Sequence, residues 1–413
     1  MARAKKENGT IDEVLRVDGE IRRRENKYYL KIAERYRAAG FLLILLFVIF
    51  GAVMLIKYSE YITYDNFVYL LRDLDSVGGE KEGIVSDIKY LSDGNTVFEP
   101  FKDGLCVIGG GKVTIYDSTG VELCSAGEKF SSPAVSKSDK YLLVYDLGGT
   151  SYSLYNAVTR VCSRKTEMPI ISADVSDNGS YAVTYESKEA KYVTEIYNSA
   201  LVKNMSIYKD KYVVDTALSG SGSCAAIAAV GESGDDISCE VTFCETGKEE
   251  PIGSFSYIGA IPLRIESNDD GFVLLCDDAV RFYDNSGKAV SEHNIKGEKS
   301  AFFDASGKSC VLVCRENSVG LKNTVYSFDN KGNILYNSLI EMKITGAAAA
   351  CSTEGAYVGF LSSDGGVTAL KSDGESEYES ISGEILAVTD MDSGALVCTP
   401  TAAYRVFDGK AEK

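Results

Sequence analysis

Two patterns of apolar residues divide the chain. From Gly40 to Ile56 the sequence GFLLILLFVIFGAVMLI contains no charged side chain over seventeen residues. As an α-helix this run would be about 26 Å long, close to the ~30 Å hydrocarbon core of a bilayer. It therefore predicts a transmembrane helix over residues 40–57 that contacts the lipid bilayer. From about Ile84 onward the apolar residues instead form short runs between Gly, Asp, Asn and Ser, which predicts strands and turns.

The strand region repeats one local pattern, in which an aromatic or apolar strand end precedes a polar turn. The markers of the repeat are Tyr116, Tyr155, Tyr197, Phe243, Tyr283, Phe328, Leu370 and Phe407. Their spacing of about 40 residues, with several strands in each repeat, is typical of a β-propeller. The sequence thus predicts an all-β fold with eight blades. Seven blades, with one marker misassigned, is the alternative.

Each repeat also has an internal order. A strand of small residues such as ISADV comes first, followed by a turn such as SDNGS and a nearly continuous apolar strand such as YAVTY. We interpret these as an inner strand and a second strand that is covered on both faces, followed by a hairpin. The last repeat ends after its third strand. An early strand between Ile84 and Tyr90 is expected to supply the missing strand and close the ring.

Charge predicts the orientation in the membrane. The chain has a net charge of −17, yet a basic segment, including Arg22, Arg35 and Arg37, precedes the apolar run. Because basic flanks remain in the cytoplasm, we expect a single-pass protein of the cell membrane with a cytoplasmic N-terminus and an extracytoplasmic C-terminal domain. The predicted organisation is a basic, partly helical tail (1–39), a signal-anchor helix (40–57), a juxtamembrane helix and linker (58–83) and the propeller (84–413).

Two other interpretations of the apolar run are possible. A cleaved signal peptide is disfavoured by the long segment that precedes the run and by the lack of an A-x-A-like cleavage site after it. A buried helix of a soluble protein is disfavoured by the basic residues at the ends, Arg35, Arg37 and Lys57. We therefore favour the retained anchor.

Composition limits the possible ligands. The acidic domain would repel nucleic acid, so we expect no nucleic-acid partner. All eleven cysteines follow the apolar run, and several, such as Cys106, Cys276 and Cys310, lie in apolar strands, which predicts buried thiols. The best candidates for a disulfide are Cys224 and Cys244, which would face each other across a hairpin. With one His and no C-x-x-C pair, the chain predicts no metal cluster and no cofactor.

The turn and strand rhythm resembles that of WD-repeat-like and TolB-like propellers, with VSDNGSYAVTY and FDASGKSCVLV as the most similar segments. The plan of a basic tail, one span and a propeller also resembles an uncharacterised family (a domain of unknown function) of membrane-anchored proteins from low-GC Gram-positive bacteria. This resemblance implies the fold but no activity. The chain has no Trp, so it lacks the Trp-Asp dipeptide of true WD repeats and the Trp locks of quinoprotein propellers.

Few residues are candidates for chemistry. Asp174 and Arg264 are charged residues on predicted inner strands, so they are candidates for a ligand site in the channel. His293, the single His, is placed in a connection between blades, and no catalytic set is assembled around it. We expect an extracytoplasmic protein-interaction or scaffolding module with a protein partner outside the cell. The alternative is a small-ligand sensor or a hydrolase that acts on cell-envelope substrates through the channel.

Overall fold

The structure, a computed structural model, describes residue 16, residues 31–51 and 53, and most of residues 88–406. Within the last range it leaves out residues 91, 93–94, 103, 118, 249, 296, 316–321, 342, 350–354, 362–365, 372–375, 382–383 and 392–393. The chain divides into two compact units, Met1–Tyr64 and Asp65–Lys413. The predicted juxtamembrane helix and linker (58–83) lie outside the described residues.

The N-terminal unit contains a helix, α1, over residues 31–51. Its apolar side chains from Phe41 to Phe50 are each between 48% and 74% exposed. Across the described positions, no helix has both the length and the apolar character needed to cross a membrane. Residue 52 and residues 54–57, at the end of the predicted span, are not among those positions.

In the second unit, the regular elements among the described residues are strands, arranged in four-stranded antiparallel sheets. Sheet 1 comprises β2 (Val97–Phe101), β3 (Gly104–Gly109), β4 (Lys112–Tyr116) and β5 (Glu122–Gly127). Sheet 2 comprises β6 (Pro133–Lys137), β7 (Leu142–Asp146), β8 (Ser151–Tyr155) and β9 (Arg160–Lys165). Sheet 3 comprises β10 (Ile170–Val175), β11 (Tyr181–Glu186), β12 (Tyr192–Tyr197) and β13 (Lys203–Lys209).

Four further sheets repeat this order. Sheet 4 comprises β14 (Tyr212–Leu218), β15 (Cys224–Ser233), β16 (Asp236–Glu245) and β17 (Pro251–Ile258). Sheet 5 comprises β18 (Pro262–Ser267), β19 (Gly271–Cys276), β20 (Ala279–Asp284) and β21 (Ala289–Asn294). Sheet 6 comprises β22 (Lys299–Ser306), β23 (Ser309–Arg315), β24 (Lys322–Asp329) and β25 (Ile334–Glu341). Sheet 7 comprises β26 (Lys343–Ala349), β27 (Gly355–Leu361), β28 (Gly366–Lys371) and β29 (Ser376–Ser380).

Sheet 8 joins the first and the last strand that the structure describes in this unit. It contains β30 (Ala387–Met391), β31 (Gly394–Cys398) and β32 (Ala402–Val406), and its fourth strand is β1 (Ile88–Lys89). Ile88 lies opposite Ala403, and the Tyr90 hydroxyl donates to the Thr399 carbonyl at 2.8 Å. The prediction that an early strand completes the last sheet is therefore confirmed.

The first strands of the sheets contact one another in sequence, and β30 contacts β2, so that they form a closed ring. Burial follows strand position, as the second strand β19 is buried at all six residues, whereas the fourth strand β21 alternates toward solvent. Apolar side chains of neighbouring sheets form the core between them, for example Phe243 of sheet 4 against Phe272 of sheet 5. The fold is an all-β propeller, as the repeat predicted.

The repeat markers lie on the third strands. Tyr116, Tyr155 and Tyr197 each end such a strand, and the pairing register with the fourth strand shifts at each of them. The last marker, Phe407, lies outside the described residues. An Asp or Asn follows most of the markers, although Cys244 follows Phe243 and Lys371 follows Leu370. After Tyr283 this residue caps the turn, because the Asp284 Oδ1 atom accepts from the amides of Ser286 and Lys288, both at 2.9 Å.

The cysteines in the described part of the chain are thiols. The ten that the structure describes are free, and eight of them are buried. Cys244 lies opposite Ala225, and Cys224 lies opposite Glu245, so the expected pair is offset by one residue. The prediction that Cys224 and Cys244 face each other is therefore wrong. Ser233 lies opposite Asp236, and the pairing continues from there without a bulge, so that Cys224 meets Glu245.

We predict that Asp284→Ala lowers the free energy of unfolding by about 1–2 kcal/mol, because it removes the acceptor of two backbone amides in the turn after β20. Urea denaturation of wild type and variant measures this change. Asp235→Ala, in the exposed turn between β15 and β16, is the matched control and should change the stability by less than about 0.5 kcal/mol. Equal effects of the two substitutions would contradict the capping role.

Candidate functional site

Four carboxylates lie on consecutive first strands of the ring: Asp174 on β10, Asp215 on β14, Glu266 on β18 and Asp304 on β22. We call them the inner-strand carboxylates. Only Asp174 was singled out from the sequence. The signal for the others was present, since segments such as DTAL and SAFFD carry an acid in the first strand of their repeats.

Each inner-strand carboxylate accepts a hydrogen bond from a backbone amide of the next sheet. The donors, with their N···O distances, are Leu218 to Asp174 (2.6 Å), Ile265 to Asp215 (3.1 Å), Ala305 to Glu266 (2.5 Å) and Ala349 to Asp304 (2.7 Å). A charged acceptor makes such bonds stronger than neutral ones, about 1.5–3 kcal/mol each. The carboxylates therefore connect sheets 3 to 7 at the ring.

Two of these carboxylates also bind the preceding sheet. Asp174 accepts from the Ser136 hydroxyl of β6, and Asp215 accepts from the Ser172 hydroxyl of β10 at 2.6 Å. Burial raises the pKa of Asp174 to about 6, although both of its hydrogen bonds oppose that shift. Burial likewise raises the pKa of Asp215, while Ser172 lowers it. The ring thus holds Asp174 and Asp215 by contacts on both sides.

Arg264, the second predicted candidate, is the cation of this group. Its Nε atom lies 2.6 Å from Glu266 Oε1, and its side chain is 56% exposed. The charge of Glu266 raises the pKa of Arg264, and the charges of Asp215 and Asp304 add to that effect, whereas burial opposes it. Burial raises the pKa of Glu266, and Arg264 opposes this shift. Arg264 compensates carboxylates that would otherwise repel one another.

The structure thus brings Asp174 and Arg264 into one electrostatic group, because both interact with Asp215. Its chemistry is that of an ion-pair network. The inner-strand carboxylates use oxygen atoms for backbone amides, and Glu266 uses its other oxygen for Arg264. Within the described part of the chain, no group of three or more His, Cys, Asp and Glu side chains has the arrangement of a metal site.

A second polar cluster lies between sheets 1 and 2. Glu128 Oε1 accepts from the Ser153 hydroxyl and the Tyr155 hydroxyl, both at 2.7 Å, and from Arg160 Nη1 at 3.0 Å. Glu128 and residues 109–111 border a cavity of about 110 Å³. Ligand sites for drug-sized molecules measure about 300–1,000 Å³. The cluster is therefore better suited to joining two sheets than to holding such a ligand.

His293 lies within β21 and not in a connection between sheets, which corrects its predicted place. Its ring packs 5.1 Å from the ring of Tyr326 and 5.2 Å from that of Phe328, both on β24 of the next sheet. The histidine therefore takes part in aromatic packing between sheets 5 and 6. The sequence did not predict a strand at His293, because the short polar segment SEHN lacks the alternation of apolar and polar residues that marks a strand.

The chain belongs to a family of unknown function, DUF5711, which matches residues 80–394. No curated protein matches it. Among solved structures it is similar to BamB from Moraxella catarrhalis, at a TM-score of 0.50 and 12% identity, over 78% of this chain and 99% of that one. It is also similar to the β-propeller domain of Cps50 (Swd1) from Myceliophteria thermophila, at a TM-score of 0.46 and 10% identity, over 78% and 100% of the two chains. These likenesses concern the fold.

We predict that Arg264→Gln lowers the free energy of unfolding at pH 7.5 by about 1–3 kcal/mol, because three carboxylates lose their cation. The figure is below that of a fully buried pair because solvent screens the exposed guanidinium. Thermal and urea unfolding measure the change. Adding Glu266→Gln should restore part of the loss. Lys248→Gln breaks the exposed ion pair with Glu245 and is the control, with an expected change below about 0.5 kcal/mol.

Asp174 should make stability depend on pH. Its folded-state pKa of about 6 lies above the ordinary value of 3.8, so the folded chain binds the proton more tightly than the unfolded chain. This tighter proton binding stabilises the folded chain below pH 4, and the stabilisation is lost as the pH rises through 6. Between pH 4 and pH 7 the free energy of unfolding of Asp174→Asn should therefore fall by about 2 kcal/mol less than that of the wild type. Parallel stability curves for the two proteins would contradict this, and Asp235→Asn is the control.

Proposed function

We propose that this member of DUF5711 is a single-pass membrane-anchored scaffold. Its eight sheets are the blades of an extracytoplasmic propeller, and the propeller binds a protein partner. The observation that carries the proposal is that the inner-strand carboxylates bind the protein's own backbone and thereby join neighbouring sheets. Asp174, Asp215, Glu266 and Asp304 all accept backbone amides of neighbouring sheets. The domain therefore offers a rigid surface, and propellers use their surface loops for recognition.

The anchor is supported by the apolar run and by α1. The side chains from Phe41 to Phe50 are each 48% exposed or more, and a group of apolar side chains of this size is stable only when water is excluded from it. A bilayer would provide that environment. The basic residues before the run favour a cytoplasmic N-terminus, with the acidic propeller on the opposite side.

The eight blades are supported by the sheets and by the ring of their first strands. Removing one sheet from the ring would expose to water the apolar faces that its two neighbours bury against it. A sensor or hydrolase with a channel site is less well supported, because the ion-pair network at the ring is satisfied by the protein itself. The small cavity beside Glu128 does not favour a ligand site either.

The test is crosslinking in intact cells with a membrane-impermeant, lysine-reactive reagent, followed by mass spectrometry. The full-length chain is compared with a chain truncated after Gly83, which keeps the tail and the apolar run but lacks the sheets. We expect a protein crosslinked to the full-length chain alone, because exposed lysines such as Lys248 lie on the propeller.

Three results would contradict the proposal. Capture of the same partners by both chains would assign recognition to the N-terminal segment. Crosslinks that form only after the cells are permeabilised would place the propeller on the inner side of the membrane. Specific turnover of an envelope glycan by the purified chain would favour the enzymatic alternative.

A further inference from the structure

Two buried thiols meet at the interface between sheets 4 and 5. Cys239 lies on β16, the third strand of sheet 4, and Cys276 is the last residue of β19, the second strand of sheet 5. Their Sγ atoms are 3.7 Å apart, and both residues are fully buried. A covalent bond between these atoms would therefore join two sheets of the ring.

The fold holds both thiols in place. Cys239 lies opposite Val230 of β15 and Tyr257 of β17, and Cys276 lies opposite Pro262 of β18. Both cysteines belong to one apolar cluster between the sheets. Because side chains in a close-packed interior have little room to move, the two sulfur atoms stay near each other. A disulfide bond measures ~2.05 Å, so the sulfurs would have to approach by about 1.7 Å.

Polar contacts close the interface beside this pair. Tyr283 belongs to the same apolar cluster as the cysteines, and Tyr257 packs against it. The hydroxyls of these tyrosines lie 2.7 Å apart, which joins β17 of sheet 4 to β20 of sheet 5. Arg281 lies 4.0 Å from the centroid of the Tyr257 ring, and its side chain is only 5% exposed. A reagent can therefore reach the two sulfurs only when the sheets separate.

The protonation of Cys276 also restricts its reactivity in the folded chain. The hydrogen bond with Cys239 and burial raise the pKa of the Cys276 thiol. Thiol–disulfide exchange requires the thiolate, so this residue reacts slowly once the interface has closed. Oxidation is fast only while the sheets assemble and the thiols still contact water. After closure, the same burial would protect a disulfide from reductants.

We propose that Cys239 and Cys276 are oxidised to a disulfide that joins sheets 4 and 5 as the propeller folds. The oxidant is a disulfide compound, either small or enzyme-bound. One cysteine thiolate attacks a sulfur of the oxidant and releases one thiol, and the other cysteine attacks the resulting mixed disulfide and releases the second thiol. Two protons and two electrons thus pass from the protein to the oxidant. This inference rests on the extracytoplasmic position in the proposed function, since disulfides form and persist in oxidising compartments.

The test determines the state of the thiols in the full-length chain from cells that carry it in their membrane. The cells are quenched with acid, free thiols are alkylated with N-ethylmaleimide in denaturant, and the purified chain is cleaved after glutamate without reduction. Cleavage places Cys239 in residues 233–240 and Cys276 in residues 267–292, each as the only cysteine of its peptide. We expect mass spectrometry to find these two peptides joined.

Two results of this measurement would overturn the inference. Alkylation of both Cys239 and Cys276 would show that they remain thiols in the mature protein. A bond from Cys239 to the peptide that contains Cys244, residues 241–245, would show that the pairing is different.

Thermal unfolding gives a second, independent measurement. Wild-type protein from cells treated with dithiothreitol during synthesis should lack the joined peptide. Its thermal midpoint should be about 5–10 °C lower than without treatment, because the bond restricts the unfolded chain. Cys239→Ala should have the same midpoint with and without treatment, whereas Cys224→Ala, which removes another buried thiol of sheet 4, should keep the wild-type difference. Comparing each variant with itself removes the effect of the lost side chain on packing. Equal differences in wild type and Cys239→Ala would overturn the inference.

The outcomes separate this inference from the scaffold itself. If cellular crosslinking captures a partner while both cysteines are alkylated, the scaffolding function stands and the disulfide is excluded. If the joined peptide is found but no partner is captured, the disulfide stands and the scaffolding function fails.

Discussion

The propeller depends on hydrogen bonds from backbone amides of one first strand to carboxylates of the strand before it. Sheets 3 to 7 are joined in this way, through bonds of 2.5 to 3.1 Å. The apolar core between sheets resists separation, but apolar contacts are not directional and tolerate sliding. A charged acceptor opposite a fixed amide defines the register between neighbouring sheets. The carboxylates therefore act as spacers of the ring, and the burial that raises the pKa of Asp174 is a cost of that role.

Packing between sheets relies on Tyr and Phe in a chain without Trp. The rings of Tyr152 and Tyr181, on sheets 2 and 3, lie 5.9 Å apart, and the Tyr257 and Tyr283 hydroxyls of sheets 4 and 5 lie 2.7 Å apart. Arg281 lies over the Tyr257 ring and binds both oxygens of Asp278. Phenol groups thus provide both aromatic area and a hydrogen bond, which keeps buried polar atoms satisfied.

Much of the fold could be predicted from the sequence because its signals are local. The aromatic-Asp pattern marks a turn whose side chain caps its own backbone, and the continuous apolar second strand follows from cover on both faces. The candidate site was harder to predict from the sequence than the fold. Asp174 and Arg264 were visible as charges on inner strands, but their roles depend on Leu218 and Glu266, one on the next sheet and one two residues along. The contact of Asp174 with Leu218 arises from the spacing of neighbouring sheets, which no short segment encodes. Glu266, in contrast, lies in the same short segment as Arg264. The offset of Cys224 and Cys244 has a different origin, since the register of a hairpin is set by its turn.

The pairing of β1 with β32 has a kinetic consequence. Ile88 and Ala403 lie 315 positions apart in the chain, so this contact is among the least local that the domain contains. Loop-closure entropy and high contact order make such a pairing slow, and it follows the assembly of more local sheets. During synthesis β1 leaves the ribosome first and then waits for the final strand. Until that strand arrives, the chain is an open arc with two exposed edges. The lifetime of that arc, more than the strength of any one sheet, sets how exposed the protein is to misassembly with a second copy of itself.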